Sequence, residues 1–75
     1  MNIFEITAPV AGIVNKIVIK KDQQVLAGDV AMILEVMKME NELLTEKSGT
    51  VSEISVEEGA MVAAGQVLAK IQINE

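Results

Sequence analysis

The stretch VLAGDVAMILEV at residues 25–36 recurs in changed form as VAAGQVLAKIQI at residues 62–73. The two copies are 37 residues apart, and the same register joins TAPVAGIVNKIVIK at 7–20 to LTEKSGTVSEISVE at 44–57 without a gap. The aligned positions share glycine or apolar residues: Gly12 with Gly49, Val14 with Val51, Ile17 with Ile54, Ile19 with Val56, Val25 with Val62, Ala27 with Ala64, Gly28 with Gly65, Val30 with Val67, Leu34 with Ile71 and Val36 with Ile73. We interpret this pattern as an internal duplication.

Both halves contain the alternation of a half-buried β-strand. The predicted core face consists of Val30, Met32, Leu34 and Val36 in the first half, and of Val67, Ala69, Ile71 and Ile73 in the second. A period of two is typical of a strand that packs one face on a core. Lys70 and Gln72 then fall on the opposite face, which we expect to meet water.

An irregularity in the pattern occurs at the same place in both halves. Val14 and Ile17 are three residues apart, so they cannot share one face of a regular strand. Val51 and Ile54 repeat the conflict. A β-bulge or bend between the members of each pair resolves it, and we predict one in each half.

Turn-forming residues divide each half into short strands, at KKDQQ (20–24) and its partner EEGAM (57–61), and at LAGD (26–29) and its partner AAGQ (63–66). Gly28 and Gly65 can adopt a positive φ at low cost in such turns. No segment has the apolar period of a helix. The sequence therefore predicts an all-β fold, a sandwich or flattened β-barrel with an internal pseudo-twofold repeat.

Length and composition limit the classes of function. The 75 residues predict one domain, and the absence of Cys and His removes disulfides, thiolate metal sites and the commonest general base. A single aromatic residue and a net charge of -5 argue against nucleic acid as a partner. Without a long apolar run or an export signal, we expect a cytoplasmic location and no direct membrane insertion. Without His, Cys or a Gly-rich phosphate loop, we do not expect an independent enzyme.

The segment EVMKME at residues 35–40 lies at the joint between the half-repeats, which span about 1–37 and 39–75. The strand before this joint must turn back into MENELL, so we expect Met37 and Lys38 in a hairpin turn. If the halves pack about a pseudo-twofold axis, the chain ends meet at one end of the molecule. Lys38 then protrudes at the opposite end.

The joint resembles the biotinyl domains of biotin carboxyl carrier proteins and of biotin-dependent carboxylases and decarboxylases. The hallmark of that family is Glu-Ala-Met-Lys-Met, and the matching residues are Glu35, Met37, Lys38 and Met39. Val36 stands where the family usually has Ala. Because the segment lies at the center of a duplicated β-domain, this match is more specific than Met-Lys-Met alone.

The resemblance extends over nearly the whole chain. Ala8, Pro9 and Gly12 look like the opening Ala-Pro-x-x-Gly of the family, although Ala11 stands where a second Pro is frequent. The Gly-Asp pair at 28–29 looks like the family's turn before the strand that leads to the lysine. The implied fold is the hammerhead type of biotinyl and lipoyl domains, with two four-stranded antiparallel sheets.

The resemblance implies a carrier domain or subunit without catalytic groups of its own. Lys38 would receive biotin covalently from a biotin protein ligase, and Glu35, Val36, Met37 and Met39 would serve as flanking recognition residues. The arm would carry a carboxyl group between the active sites of a biotin carboxylase and a carboxyltransferase. Biotin is thus the expected cofactor, with no metal, in a monomeric domain or as part of a larger complex.

Two other classes of carrier or adaptor remain as alternatives. One is the lipoyl domain of a 2-oxo acid dehydrogenase or of the glycine cleavage system, and the other is an unmodified lipoyl-like adaptor module. Lipoyl hairpins usually have Asp before the lysine and no Met after it, so Met37 and Met39 favour biotin. The sequence leaves open the parent enzyme, its acyl-CoA or oxo-acid substrate, and whether the chain is a free subunit or an excised domain.

Overall fold

A computed structural model describes residues 2–73, so Met1, Asn74 and Glu75 of the predicted domain lie outside the described residues. Those residues form eight strands and no helix: β1 (Ile3–Thr7), β2 (Gly12–Ile17), β3 (Gln24–Val25), β4 (Val30–Val36), β5 (Met39–Leu44), β6 (Gly49–Ile54), β7 (Met61–Val62) and β8 (Val67–Ile73). The prediction of an all-β fold is confirmed.

The strands form two four-stranded antiparallel sheets. The terminal sheet has the order β1-β8-β6-β3, and the hairpin sheet has the order β5-β4-β2-β7. A shift of 37 residues takes each strand of one sheet to the strand in the same place in the other sheet, for example β1 to β5 and β2 to β6. The two halves of the sequence therefore fold alike, which confirms the predicted pseudo-twofold repeat.

The bulge predicted in each half is present. In the hairpin sheet the β2–β4 register shifts between Val14 and Lys16, which leaves Asn15 as the extra residue. In the terminal sheet the β6–β8 register shifts between Val51 and Glu53. The bulge turns the end of each strand, so that the apolar residues on both sides of it reach the interior.

A second pair of bulges was not predicted, and it corrects the assignment of core-facing residues. The register shifts between Val30 and Met32 in β4, and opposite β8 between Ile6 and Thr7. The extra residue lets two consecutive side chains face the core, and the fully buried pairs are Ala31 with Met32 and Leu68 with Ala69. The prediction that Val30 and Val67 belong to the core face was wrong, because the bulges turn them to the outer face, where they pair with the exposed Leu44 and Thr7.

The residues of β8 that were predicted to face water lie on the outer face of the terminal sheet. Lys70 and Gln72 are half-buried there. Strand β8 lies between β1 and β6, so side chains of both neighbouring strands flank its outer face. The core beneath is aliphatic, and its largest fully buried side chains include Met32, Leu34 and Leu68.

The turns adopt the backbone that their residues favour. Gly28 and Gly65 have φ of 98° and 85°, which confirms the prediction for both. Asp22 and Gly59 occupy equivalent positions of the two halves and also have positive φ. Asp tolerates this region better than most residues with a Cβ, so the duplicated turn survives the change.

Gly12 and Gly49 have a different purpose from the turn glycines. A Cβ on Gly12 would lie 2.6 Å from the carbonyl oxygen of Glu35 and 3.0 Å from a methyl carbon of Val36. A Cβ on Gly49 would meet the backbone of Gln72 in the same way. These two glycines allow neighbouring strands to approach closely at the two equivalent ends of the sheets.

The hairpin between β4 and β5 and the described chain ends occupy equivalent places. Val36 pairs with Met39 at the hairpin, and the backbone N–H of Ile73 donates to the carbonyl of Asn2 at 2.9 Å. From the hairpin, β5 leads the chain away to Gly49, which pairs with Ile73. The hairpin tip and the first and last described residues, Asn2 and Ile73, thus lie at opposite ends of a molecule measuring 38 × 18 × 17 Å. No helix among the described residues could cross a membrane.

Candidate functional site

The β4–β5 hairpin turns through two residues, Met37 and Lys38. Their φ angles are 53° and 65°, which is the pattern of a type I′ turn. Such turns favour Asn-Gly, because a residue with a larger side chain loses of order 1–3 kcal/mol in the left-handed region. The other positive-φ residues of the described chain fall into the equivalent pairs of the repeat, whereas this turn occurs only at the joint. Strain of this kind is common at functional sites.

The side chains at the tip are exposed. Met37 is 89% accessible and Met39 is 67% accessible, while Lys38 between them is exposed as well. Within residues 2–73, no hydrogen bond or ion pair holds the Lys38 ammonium group. The lysine therefore presents a free primary amine on a flexible stem, at the end of a rigid hairpin.

The other predicted recognition residues divide into two groups. Met37 and Met39 lie beside the lysine at the surface, whereas Val36 packs against the core and supports the turn from below. Glu35 is half-buried and lies opposite Glu40 on the neighbouring strand. Like charges in that arrangement are unfavourable by a few tenths of a kcal/mol. Val36 is thus a packing residue in this structure, and Glu35 adds negative charge near the base of the tip.

The carboxylate of Glu40 accepts a hydrogen bond from β2, which is separated from β5 by β4. The side-chain amide of Asn15 donates to Oε2 of Glu40 at 2.7 Å. Asn15 is the extra residue of the β2 bulge, and the bulge places its side chain on the outer surface of the sheet. One of the two duplicated bulges therefore contributes to the hairpin's polar surface.

A cleft lies directly beside the hairpin and was not predicted. It has a volume of about 280 Å³, and its lining residues are Pro9, Val10, Leu34, Val36, Asn41, Glu42 and Leu43. Asn41 belongs to the core-facing side of β5 by strand alternation, yet it is exposed because the cleft is open there. The aligned half-repeats contain the signal that could have revealed it, since Asn41 occupies the position of Phe4 in the first half.

An exposed apolar pair on the outer face of the hairpin sheet was also missed. Ile13 pairs with Met61, and they are 39% and 82% accessible. The equivalent pair in the terminal sheet is Thr50 with Gln24, which is polar. The fold accepts polar residues at this position, so it does not require the apolar pair. Elsewhere in the described chain, no group of three or more His, Cys, Asp or Glu residues could hold a metal ion.

Residues 23–71 match the model of a protein family described as "Biotin-requiring enzyme". The chain belongs to this family. It is also 36% identical to the biotinylated protein TB7.3 homolog of Mycobacterium leprae, over 89% of this chain and 94% of that protein. With four of the five hallmark residues at the hairpin, the chain is a biotinyl domain.

Larger proteins contain similar domains. The biotinyl domain is 40% identical to part of the biotin-dependent acyl-coenzyme A carboxylase alpha3 subunit of Mycobacterium leprae, over 89% of this chain and 11% of that subunit. The crystal structure of Kluyveromyces lactis urea carboxylase contains the same fold, with a TM-score of 0.89 and 33% identity over 96% of this chain and 6% of that chain. The chain thus spans about a tenth or less of these two proteins.

The lysine of the biotinyl domain is suited to covalent attachment of a carboxylic acid. Amide formation needs a primary amine that a second enzyme can reach, and Lys38 provides it at the tip. Exposure alone does not distinguish it, because Lys16, Lys20, Lys21 and Lys47 are exposed as well. Lys38 differs from these four because it lies in a strained two-residue turn between exposed methionines.

Proposed function

We propose that the chain is a biotin carboxyl carrier that holds biotin in amide linkage on Nζ of Lys38. The observation that carries the proposal is the turn itself. Met37 and Lys38 both adopt positive φ at the joint of the repeat, where Asn-Gly would be less strained. A position that departs from local preference without a stabilising contact is best explained by selection for function.

The domain holds and exposes the biotinyl lysine to partner enzymes and has no catalytic role of its own. Bound biotin supplies a ureido nitrogen that accepts and releases a carboxyl group. The deprotonated amine of Lys38 would attack the acyl carbon of a biotinyl-adenylate that the ligase makes from biotin and ATP, so that the amide bond forms as AMP leaves. The two sheets hold the base of the arm rigid while its long stem moves. Gly12 packs against Glu35 and Val36, so the hairpin keeps its direction as the arm moves.

Three enzyme activities are the proposed partners: a biotin protein ligase, a biotin carboxylase and a carboxyltransferase. The names of the relatives support this set, because one is a biotin-dependent acyl-coenzyme A carboxylase subunit and another is a urea carboxylase. We propose an acyl-CoA carboxylase as the parent enzyme, since that relative is the more similar in sequence. The cytoplasmic location also remains a proposal. Contacts with the partners should be weak and short-lived, because the arm must visit two active sites.

Coexpression with a biotin protein ligase tests the attachment site. We expect one biotin increment in the mass of the intact protein, and we expect Lys38→Arg to abolish it. The matched control is Lys47→Arg, which removes another exposed lysine and should leave the increment unchanged. An unmodified mass, under conditions that biotinylate a reference carrier, would contradict the proposal. A lipoyl increment would instead favour the lipoyl alternative.

A further inference from the structure

The cleft beside the hairpin can be compared with an equivalent position in the other half of the duplicated fold. At the end with the chain termini, Phe4 occupies the position of Asn41 and packs against the core. The connection above it has Glu46 and Lys47 where the cleft has Pro9 and Val10. The fold is therefore stable with this position filled by an aromatic ring.

Three differences between the two ends favour a ligand site at the lysine end. Asn41 is shorter than Phe4, the residue at the equivalent position, and this leaves an open space between the edge strand β5 and the β1–β2 connection. Pro9 and Val10 replace two charged residues with apolar ones in the cleft wall. Glu42 is the charged residue of the lining, so an uncharged and mainly apolar group fits these walls better than an anion does.

The polar groups of the cleft are few and well placed. Nδ2 of Asn41 donates to the carbonyl of Met39 at 3.2 Å, which fixes the orientation of the side-chain amide. Oδ1 of Asn41 accepts no hydrogen bond from another residue in the described part of the chain. A ureido N–H is a donor suited to that oxygen, and the aliphatic residues Leu34, Val36 and Leu43 surround the remaining space.

The cleft is within reach of the lysine. Asn41 follows Lys38 by three residues along β5, which corresponds to roughly 10 Å at the rise of a strand. About ten bonds separate the lysine Cα from the ring system of an attached biotin, and they extend to roughly 12 Å. Met39 lies on the same side of β5 as Asn41 by strand alternation, between Lys38 and the cleft along the chain.

We propose that the cleft formed by Pro9, Val10, Leu34, Val36, Asn41, Glu42 and Leu43 is a resting site for the ring system of the domain's own biotin. This inference rests on the proposed function and extends it to a binding site. The volume of about 280 Å³ is near the lower limit for pockets that bind small molecules, roughly 300–1,000 Å³, so the site holds a two-ring group and little more. Weak binding is sufficient, because the tether keeps the ring at an effective concentration in the millimolar range.

The first test is independent of attachment to Lys38. The unmodified 75-residue chain is titrated with biotin amide-linked to the ε-amine of a blocked lysine, and methyl and amide chemical shifts are recorded by NMR. We expect shifts at the methyls of Val10, Val36 and Leu43 and at the side-chain amide of Asn41. We expect no shifts at Ile6 of the terminal sheet. Absence of shifts at the cleft, up to the solubility limit of the probe, would contradict the resting site.

The second test uses the biotinylated chain and a pair of variants at one position. Biotinylation should shift the same cleft methyls, and Asn41→Phe should abolish those shifts by filling the cleft as Phe4 fills its counterpart. Asn41→Ala is the matched control, because it removes the amide without filling the space and should retain the methyl shifts. Amide spectra of both variants establish that they are folded.

Capture by avidin provides a third measurement, because avidin can bind only the released ring. The capture rate is proportional to the fraction of chains whose biotin ring is outside the cleft. Asn41→Phe should raise that fraction to nearly one, and so accelerate capture of the biotinylated chain by roughly two- to tenfold. Equal capture rates for the parent, Asn41→Phe and Asn41→Ala would overturn the resting site. Intact mass separates the two proposals: a biotin increment without cleft shifts leaves the carrier function standing, and cleft shifts without the increment leave the site standing.

Discussion

The two residues of the turn share a strained backbone conformation, but only one of them is the proposed attachment site. Met37 and Lys38 both lie in the left-handed region, and the turn has no counterpart elsewhere in the described residues. Lys38 cannot be replaced without loss of the proposed attachment site. Met37 can be replaced, so the cost of its conformation can be measured by itself.

Met37→Asn should stabilise the domain, because Asn adopts positive φ more readily than Met does. We expect the free energy of unfolding, measured with urea, to rise by about 0.5–1 kcal/mol. The matched control is Met39→Asn, which changes an exposed methionine that pairs with Val36 in the strand. An equal gain in Met39→Asn, or no gain in Met37→Asn, would show that the turn is not strained.

At the scale of the strands, the close approach of β2 to β4 fixes the direction of the hairpin. Gly12 allows the carbonyl of Glu35 and the side chain of Val36 to come near the β2 backbone. Gly49 has the same relation to Gln72 in the terminal sheet, far from the lysine. The two glycines therefore occupy equivalent positions in the repeat, the tighter one at Gly49, and lie at different distances from the proposed site.

Gly12→Ala should displace the base of the hairpin, because the new Cβ would lie 2.6 Å from the carbonyl oxygen of Glu35. We expect a loss of about 1–3 kcal/mol in stability and a slower rate of biotinylation by the ligase. Gly49→Ala should cause a greater loss of stability, because its Cβ would overlap the carbonyl of Gln72 more closely, and should leave the biotinylation rate of the folded protein unchanged. Equal biotinylation rates in the parent and both folded variants would show that the close approach at Gly12 does not guide the ligase.

At the scale of the whole molecule, the duplication places the chain ends and the hairpin at equivalent positions. Ile73 and Asn2 form a backbone hydrogen bond where Val36 and Met39 form the hairpin pair. The fold thus has two potential hairpin tips, and only one of them is closed by the chain. The lysine end also has the open cleft and the apolar outer pair of Ile13 and Met61.

A circular permutant tests this equivalence. Asn-Gly is inserted between Ile73 and Asn2 in place of the three terminal residues, and the chain is opened between Lys47 and Ser48. Because a two-residue turn closes the equivalent hairpin, we expect the native fold, with a free energy of unfolding within about 1–2 kcal/mol of the parent. NMR amide spectra and urea unfolding measure the outcome, and the permutant should still accept biotin on Lys38. Failure to fold would show that the two ends are not interchangeable.

Much of this architecture follows from the sequence alone, because local rules determine it. The 37-residue repeat, the bulges in β2 and β6, and the positive φ of Gly28 and Gly65 could all be predicted from apolar period and turn chemistry. The position of Lys38 in a hairpin also follows, since the joint of a duplicated β-domain has to reverse the chain. These features depend on neighbours that are close in sequence or on the repeat itself.

Only the tertiary structure decided the features that depend on contacts between distant segments. The bulges at Ala31 and Leu68 escaped prediction, because alternating and consecutive burial look alike in a continuous apolar run. The cleft escaped as well, because it forms where Pro9 and Val10 approach an edge strand more than thirty residues away in sequence. The sequence by itself determined the repeat and the place of the lysine, whereas packing between distant segments decided that a cleft opens beside the hairpin.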